Sequence, residues 1–167
     1  DGVLVNTPTF VVDNPPNYSD YSLTFEVNEY ATSSADSTLA NKSYSFWAKS
    51  TDTGNNVVFD HGSGLCGSFQ FNYAGGAPIL WMNGYYCYWA DNSAQDDGAW
   101  HHHVVYLDTV ITNCKWYVDG VLQSQTSTTL HGASCTSYTA GLRIGATAFD
   151  GSLDEFAVFD GELTSAQ

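Results

Sequence analysis

The densest run of chemistry-bearing side chains is Trp81-Met-Asn-Gly-Tyr-Tyr-Cys-Tyr-Trp89. Aromatic rings combine a large apolar face with a polar edge. A saccharide site stacks such a face on the apolar side of a sugar ring, while amides and carboxylates take the hydroxyls. On that chemistry Trp81, Asn83, Tyr86, Tyr88 and Trp89 form a candidate carbohydrate-binding set, with His61 and Asp91 as hydroxyl partners and Tyr85 and Asn92 beside them. In strands, successive side chains point to opposite faces, so part of this run is buried. Trp81 is expected in the core, and Tyr86 or Tyr88 together with Trp89 at the ligand. The plain alternative is a pair of core strands.

The run His101-His102-His103 invites a metal. Strand alternation lets only His101 and His103 share a ligand set, and no partner with zinc spacing lies nearby. One or two imidazoles are therefore expected to be buried and hydrogen-bonded, the other facing solvent. Glycoside hydrolysis needs two carboxylates facing each other about 5–10 Å apart. The four Glu, at 26, 29, 155 and 162, form no E-x-D-x-x-E run, and the adjacent Asp154 and Glu155 point to opposite faces of a strand. G-x-S-x-G and the EF-hand loop are also absent. No catalytic residue is assigned, and the chain reads as a non-enzyme.

Cys66, Cys87, Cys114 and Cys135 contain no C-x-x-C pair, which argues against a thioredoxin-like motif and a thiolate zinc site. Of the three possible pairings, Cys66–Cys87 and Cys114–Cys135 close the most local loops and imply an oxidising compartment. Four buried thiols are the alternative.

Four Lys and Arg against 18 Asp and Glu leave a formal charge of −14 over 167 residues. Phosphate binding rests on Lys and Arg, so nucleic acid is excluded as a partner, and so is docking on an anionic membrane. Cations, neutral ligands and salty surroundings remain. With 43% hydrophobic and 15% aromatic residues the chain is not disordered. No stretch reaches the roughly 18 apolar residues of a membrane helix. The chain starts at Asp1 without a signal-peptide pattern and reads as a mature or excised domain. Fourteen of the acids are Asp, many in turns, such as Asp52, Asp96-Asp97 and Asp119. Asn17-Tyr-Ser and Asn41-Lys-Ser fit the N-glycosylation triplet.

The elements that must position these groups are strands. Segments rich in Val, Tyr, Phe, Trp and Thr recur between Gly, Asn, Asp and Pro. Fourteen are expected, ending with Val121–Gln125, Leu142–Ile144 and Gly151–Phe159. Tyr44-Ser-Phe-Trp-Ala-Lys and Phe69-Gln-Phe-Asn-Tyr alternate cleanly, one face dry and one wet. A wet face carrying aromatics suits a flat ligand. Asp119-Gly120 predicts a two-residue type I′ hairpin, because both turn positions need positive φ. A short helical turn is expected at Leu163–Gln167. The fold class is all-β, a two-sheet antiparallel β-sandwich. It forms one domain over 1–167, with 1–21 as edge strand or lead-in, since Pro8 and Pro15-Pro16 cannot donate to a ladder.

Six segments then occur in a familiar order: Ser22-Leu-Thr-Phe-Glu-Val-Asn-Glu-Tyr, Tyr44-Ser-Phe-Trp-Ala-Lys, Asp97-Gly-Ala-Trp-His-His-His-Val, Lys115-Trp-Tyr-Val-Asp-Gly, Gly141-Leu-Arg-Ile-Gly-Ala and Phe149-Asp-Gly-Ser-Leu-Asp-Glu-Phe. Over residues 22–167 the chain resembles the laminin-G-like, concanavalin A-like lectin/glucanase jelly roll. Three histidines follow Trp100 where that family has two. The resemblance implies a structural Ca²⁺, and carried over position by position it offers Glu26, Asn28 and Asp154 as ligands. It also implies a secreted or cell-surface, lectin-like module that binds a neutral or cationic glycan or polysaccharide. The alternative is an adhesion module that contacts neighbouring domains of a larger extracellular protein.

Overall fold

The computed structural model describes residues 2–13, 15–16, 21–33, 41–61, 67–73, 76–82, 84–90, 95–130, 141–146 and 148–164. Its strands are β1 (Gly2–Val5), β2 (Thr9–Val11), β3 (Ser22–Phe25), β4 (Tyr30–Ser33), β5 (Lys42–Lys49), β6 (Asn56–Asp60), β7 (Ser68–Tyr73) and β8 (Ala77–Met82). They continue as β9 (Tyr85–Trp89), β10 (His101–Leu107), β11 (Lys115–Val118), β12 (Val121–Leu122), β13 (Gln125–Leu130), β14 (Arg143–Ile144) and β15 (Gly151–Asp160). One sheet has eight strands in the order β1-β4-β14-β6-β7-β8-β9-β13, the other seven in the order β12-β11-β10-β5-β15-β3-β2. The pairings are antiparallel. The molecule is an all-β, two-sheet sandwich.

The core lies between the sheets and is built by alternation. On β5, Tyr44, Phe46 and Ala48 are buried, whereas Ser45, Trp47 and Lys49 face outward and are half-buried. Tyr44 stacks on Phe59 of β6 with ring centroids 4.4 Å apart, and Phe46 meets Phe69 of β7 at 6.3 Å. Phe25, Phe71, Trp89, Trp116 and Phe149 complete the layer, all fully buried or nearly so. Each such ring contributes roughly 2–3 kcal/mol of transfer free energy. At Gly145 φ is +71°, and an added Cβ would run into the Phe25 ring. Only glycine combines that conformation with that approach.

Asp119 and Gly120 have φ of 48° and 77°, the two positive values of the expected type I′ turn between β11 and β12. The expected strand Val121–Gln125 is instead divided. The chain leaves the seven-stranded sheet after Leu122, and Gln125–Leu130 joins the edge of the other sheet against β9. Ser124 marks the crossing, where its carbonyl accepts the Ala90 N–H at 3.1 Å. At the C-terminal end, 163–164 are not helical, and the rest of the expected turn lies outside the described residues.

Candidate functional site

The outer face of the seven-stranded sheet carries an aromatic side chain at its centre. Trp47 lies on β5 with His102 of β10 opposite on one side and Asp154 of β15 on the other. One step along, Ser45 has Val104 and Ala157 as its partners. The Trp47 and His102 rings lie 5.3 Å apart at 45°, and Ser45 Oγ and His102 Nε2 are hydrogen-bonded at 2.8 Å. Between Asp154 and Ala157, β15 advances three residues while β5 advances two, so the ladder contains a bulge. The bulge turns Phe156 inward onto Phe46, 5.5 Å away, and leaves Glu155 exposed with φ of 49°. Left-handed backbone at a non-glycine residue is costly and concentrates at functional positions. The Asp154 carboxylate accepts the Glu155 N–H at 2.8 Å and so fixes the bulge.

These groups line an open groove of about 600 Å³ whose walls include Ser45, Trp47, His102, Val104, Glu155 and Phe159. Burial lowers the His102 pKa despite the nearby Asp119 carboxylate, so the imidazole is a neutral hydrogen-bonding group. The groove therefore offers an indole face, a hydroxyl, an imidazole and one carboxylate. That set suits the binding of a ligand with an apolar face and a polar rim.

Positive charge is fully committed elsewhere. The four Lys and Arg of the chain form the pairs Lys42–Asp160, Lys49–Asp13, Lys115–Glu162 and Arg143–Asp60, each at 2.6 Å. The Arg143 pair is bidentate, its Asp60 is buried, and the guanidinium lies over the Tyr30 ring.

The residues expected to bind a saccharide are divided by the eight-stranded sheet. Trp81, Tyr86 and Tyr88 face its outer side, where Trp81 pairs with Tyr86, and Ile79 with Tyr88. Their rings pack at 4.8 Å and 5.7 Å, and Trp81 and Tyr86 are only 4% and 3% exposed. Trp81 is thus buried, but in a satellite cluster apart from the main core, and Tyr86 is not presented to solvent. Trp89 lies on the opposite parity, inside the sandwich against Phe69 and Trp116 and 1% exposed, so its expected exposure is wrong. His61 is likewise interior, its Nε2 hydrogen-bonded with Tyr44 Oη at 3.0 Å, and cannot partner a ligand on the far side of the sheet. Tyr85 is the exposed ring of this hairpin. Asn83, Asp91 and Asn92 lie outside the described residues, as does Asn17; Asn41 is exposed before β5.

The residues offered for calcium do not converge. Register sets Gly151 opposite Phe25 and Leu153 opposite Leu23, so Asp154 lies toward the Ser22 end of β3 and Glu26 and Asn28 beyond the Phe25 end. Four residues of strand separate them by roughly 13 Å. Glu29 closes a turn on the Glu26 backbone, its N–H donating to the Glu26 carbonyl and its carboxylate accepting the Glu26 N–H, with Asn28 at φ 73°. These three side chains do not fit one ion.

Neither cysteine pairing is seen among the described residues. Cys87 and Cys114 are free thiols buried in the main core, and their partners Cys66 and Cys135 lie outside the described residues. Burial pushes the two thiols up to about 12 and about 11. The oxidising compartment loses the pairings on which it rested.

The histidine run divides by parity. His102 faces outward, His103 is fully buried, and His101 sits at the rim. His101 bridges Asp119 at 2.7 Å and Asp97 at 3.2 Å. Burial opposes its charge, but the two carboxylates outweigh it and hold its pKa above the ordinary value. His103 Nδ1 accepts the Trp116 Nε1–H at 3.2 Å, and its ring stacks on Phe46 and Trp116. With Nδ1 accepting, the proton sits on Nε2, which has no partner among the described residues. Burial drives the His103 pKa down to about 3.

The two sheets form a jelly roll with an open groove on one outer face. The sequence profile of the concanavalin A-like lectin/glucanases superfamily matches residues 25–167, and the chain belongs to that laminin-G-like family. No curated protein sequence matches it significantly. Among solved structures, the binding domain of Paraclostridial Mosquitocidal Protein 1 is similar, with TM-score 0.60 and 8% identity over 99% of this chain and 45% of that one. The binding domain of botulinum neurotoxin DC, in complex with rat synaptotagmin II, gives TM-score 0.56 and 11% identity over 99% and 44%. Trypanosoma rangeli sialidase, in complex with sialic acid, gives 0.53 and 12% over 87% and 26%. The chain spans less than half the length of each of these structures, and the likeness is one of fold. Among the described residues no helix is long and apolar enough to cross a membrane.

Proposed function

We propose that this domain is a non-catalytic, extracellular glycan-binding module that seats its ligand in the groove over Trp47. The carrying observation is a tryptophan on the outward parity of the central strand, flanked by Ser45, His102 and Glu155 in a groove of about 600 Å³. A half-buried indole on the outward parity adds nothing to the core between the sheets, and a sugar ring would cover its remaining exposed surface. The family and the fold likeness to domains titled as binding domains support a binding role. A non-catalytic role is supported by the groove's lining, where Glu155 is the one carboxylate among the described residues and so has no second carboxylate facing it across a ligand. A glycan array followed by calorimetry tests the reading. Trp47→Ala should weaken any hit by about tenfold or more, the loss of one stacked aromatic contact. Absence of binding to every glycan tested, or affinity unchanged in Trp47→Ala, refutes it.

A second reading, a protein-assembly module, is favoured by a separate observation. Val3 and Leu4 on edge strand β1 and Phe10 and Val12 at edge strand β2 are exposed apolar residues at two sheet edges. Phe10→Ser abolishing association with a neighbouring domain would favour it.

A further inference from the structure

We infer, granted the glycan reading of the Trp47 groove, that its ligand is a cationic saccharide, one carrying protonated amino groups, rather than a neutral or acidic one. Recognition of sulfate, uronate or sialate carboxylate needs a free Lys, Arg or charged His. Here Lys42, Lys49, Lys115 and Arg143 are each held by a carboxylate. His102, the one imidazole in the groove, is kept neutral by burial and bonded to Ser45. His101, behind it, is bound by Asp97 and Asp119. An anion in this groove would meet no uncommitted cation.

The groove instead presents an uncompensated carboxylate. Glu155 is exposed, lines the groove and forms no ion pair among the described residues. The bulge aims it there, and the Asp154 carboxylate that fixes the bulge adds a second negative charge opposite Trp47. An ammonium beside an indole face and a carboxylate gains both a cation–π contact and a charge-assisted hydrogen bond. The formal charge of −14 adds a long-range pull in the same direction. A saccharide fits better than a basic peptide because Ser45 and His102 add a hydroxyl and an imidazole at the Trp47 ring, the groups that read sugar hydroxyls.

The test is calorimetric titration of the intact domain with chitosan-type glucosamine oligomers, their N-acetylated counterparts of equal length, a sulfated oligosaccharide and a lysine tripeptide. The glucosamine series should bind about tenfold tighter than the N-acetylated series. Glu155→Gln should erase that ratio, whereas Glu26→Gln, the same charge change at a remote turn, should keep it. Trp47→Ala should weaken both series. Equal affinity for the two series, with binding still lost in Trp47→Ala, overturns the cationic assignment and leaves the groove reading standing. Equal effects of Glu155→Gln and Glu26→Gln overturn it too, by reducing the preference to bulk charge. So does binding of the sulfated oligosaccharide as tightly as the glucosamine series, and a matching affinity for the lysine tripeptide overturns the saccharide. If neither series binds, or Trp47→Ala changes nothing, the groove reading itself falls.

Discussion

His103 makes the fold sensitive to acid in a way that can be isolated. Its imidazole is sealed between Phe46 and Trp116, with Nδ1 accepting the indole N–H and the Nε2 proton buried without a described acceptor. Charging it there would strip an ion of water, so burial holds the folded pKa at about 3 against an ordinary 6.5. A depressed folded value means that between those two limits the unfolded chain binds a proton that the native state refuses. The stability is therefore fully present above pH 6.5, declines as pH falls, and is lost once pH has passed the folded value of about 3. That displacement is worth about 5 kcal/mol, a large fraction of a domain's total of roughly 5–15 kcal/mol. The perturbation is His103→Phe, which keeps the stacked ring and removes the titration. Urea unfolding of both proteins at a series of pH values gives two stability curves, and their difference cancels the titrating groups that do not interact with His103. Wild type should fall relative to the variant by about 4 kcal/mol from neutral pH to pH 3. Parallel curves, with a gap changing by less than about 1 kcal/mol, would refute the buried neutral imidazole.

His101 should behave in the opposite sense. Its raised pKa supplies stability that is present below 6.5 and lost as pH rises through the folded value, while the lowered pKa of Asp119 withdraws the pair's stability as pH falls below 3.8, so Asp119→Asn should cost about 1 kcal/mol between those limits and less on either side in the same urea assay. A gap that widens as pH rises above 6.5 would contradict the ion pair. Gly145→Ala should destabilise by roughly 3 kcal/mol, from left-handed strain and the Phe25 contact, read from the urea midpoint; an unchanged midpoint would show that the ring yields freely. Cys87 and Cys114 should resist a thiol reagent in the native domain and react on unfolding, as peptide mapping by mass spectrometry can follow; rapid native labelling of either would show that the core is open there.

The sandwich was legible because its strands are rich in β-branched and aromatic residues cut by Gly, Asn, Asp and Pro, and because β5 at the centre of one sheet is dry on one face only. Alternation in Tyr44–Lys49 survives in the sequence because burial demands it on one side, whereas on β7 the expected wet face is dry as well, since Ser68 and Gln70 are as buried as Phe69 and Phe71. Strand β13 escaped detection for the complementary reason. Gln-Thr-Ser-Thr-Thr-Leu is exposed along nearly its whole length at a sheet edge, so no apolar period is imposed on it. The aromatic run at 81–89 marked the right hairpin but not the right face. Periodicity shows that Tyr86 and Tyr88 oppose Cys87 and Trp89; only the packing shows that the second pair faces the main core. The groove over Trp47 did carry a signal. Trp47 falls in step with Ser45 and Lys49, the polar positions of its strand, and a tryptophan on a wet parity stands out once the dry one is assigned. Glu155 could not be placed, because a bulge breaks the strict alternation that puts adjacent residues on opposite faces.

Strand β15 lies near the centre of its sheet, between β5 and β3, although it is the last strand in chain order. Ser152 is bonded across the sheet to Thr24, 128 residues earlier. A nascent chain emerging from the ribosome therefore exposes the inward faces of β5 and β3, with Tyr44, Phe46, Leu23 and Phe25, long before the strand that joins them has been synthesised. Contacts this distant in sequence make folding slow, and unpaired strand edges invite association between chains in the meantime. The domain should need a holding chaperone during synthesis, and its window of vulnerability closes only when Asp160 has cleared the exit tunnel.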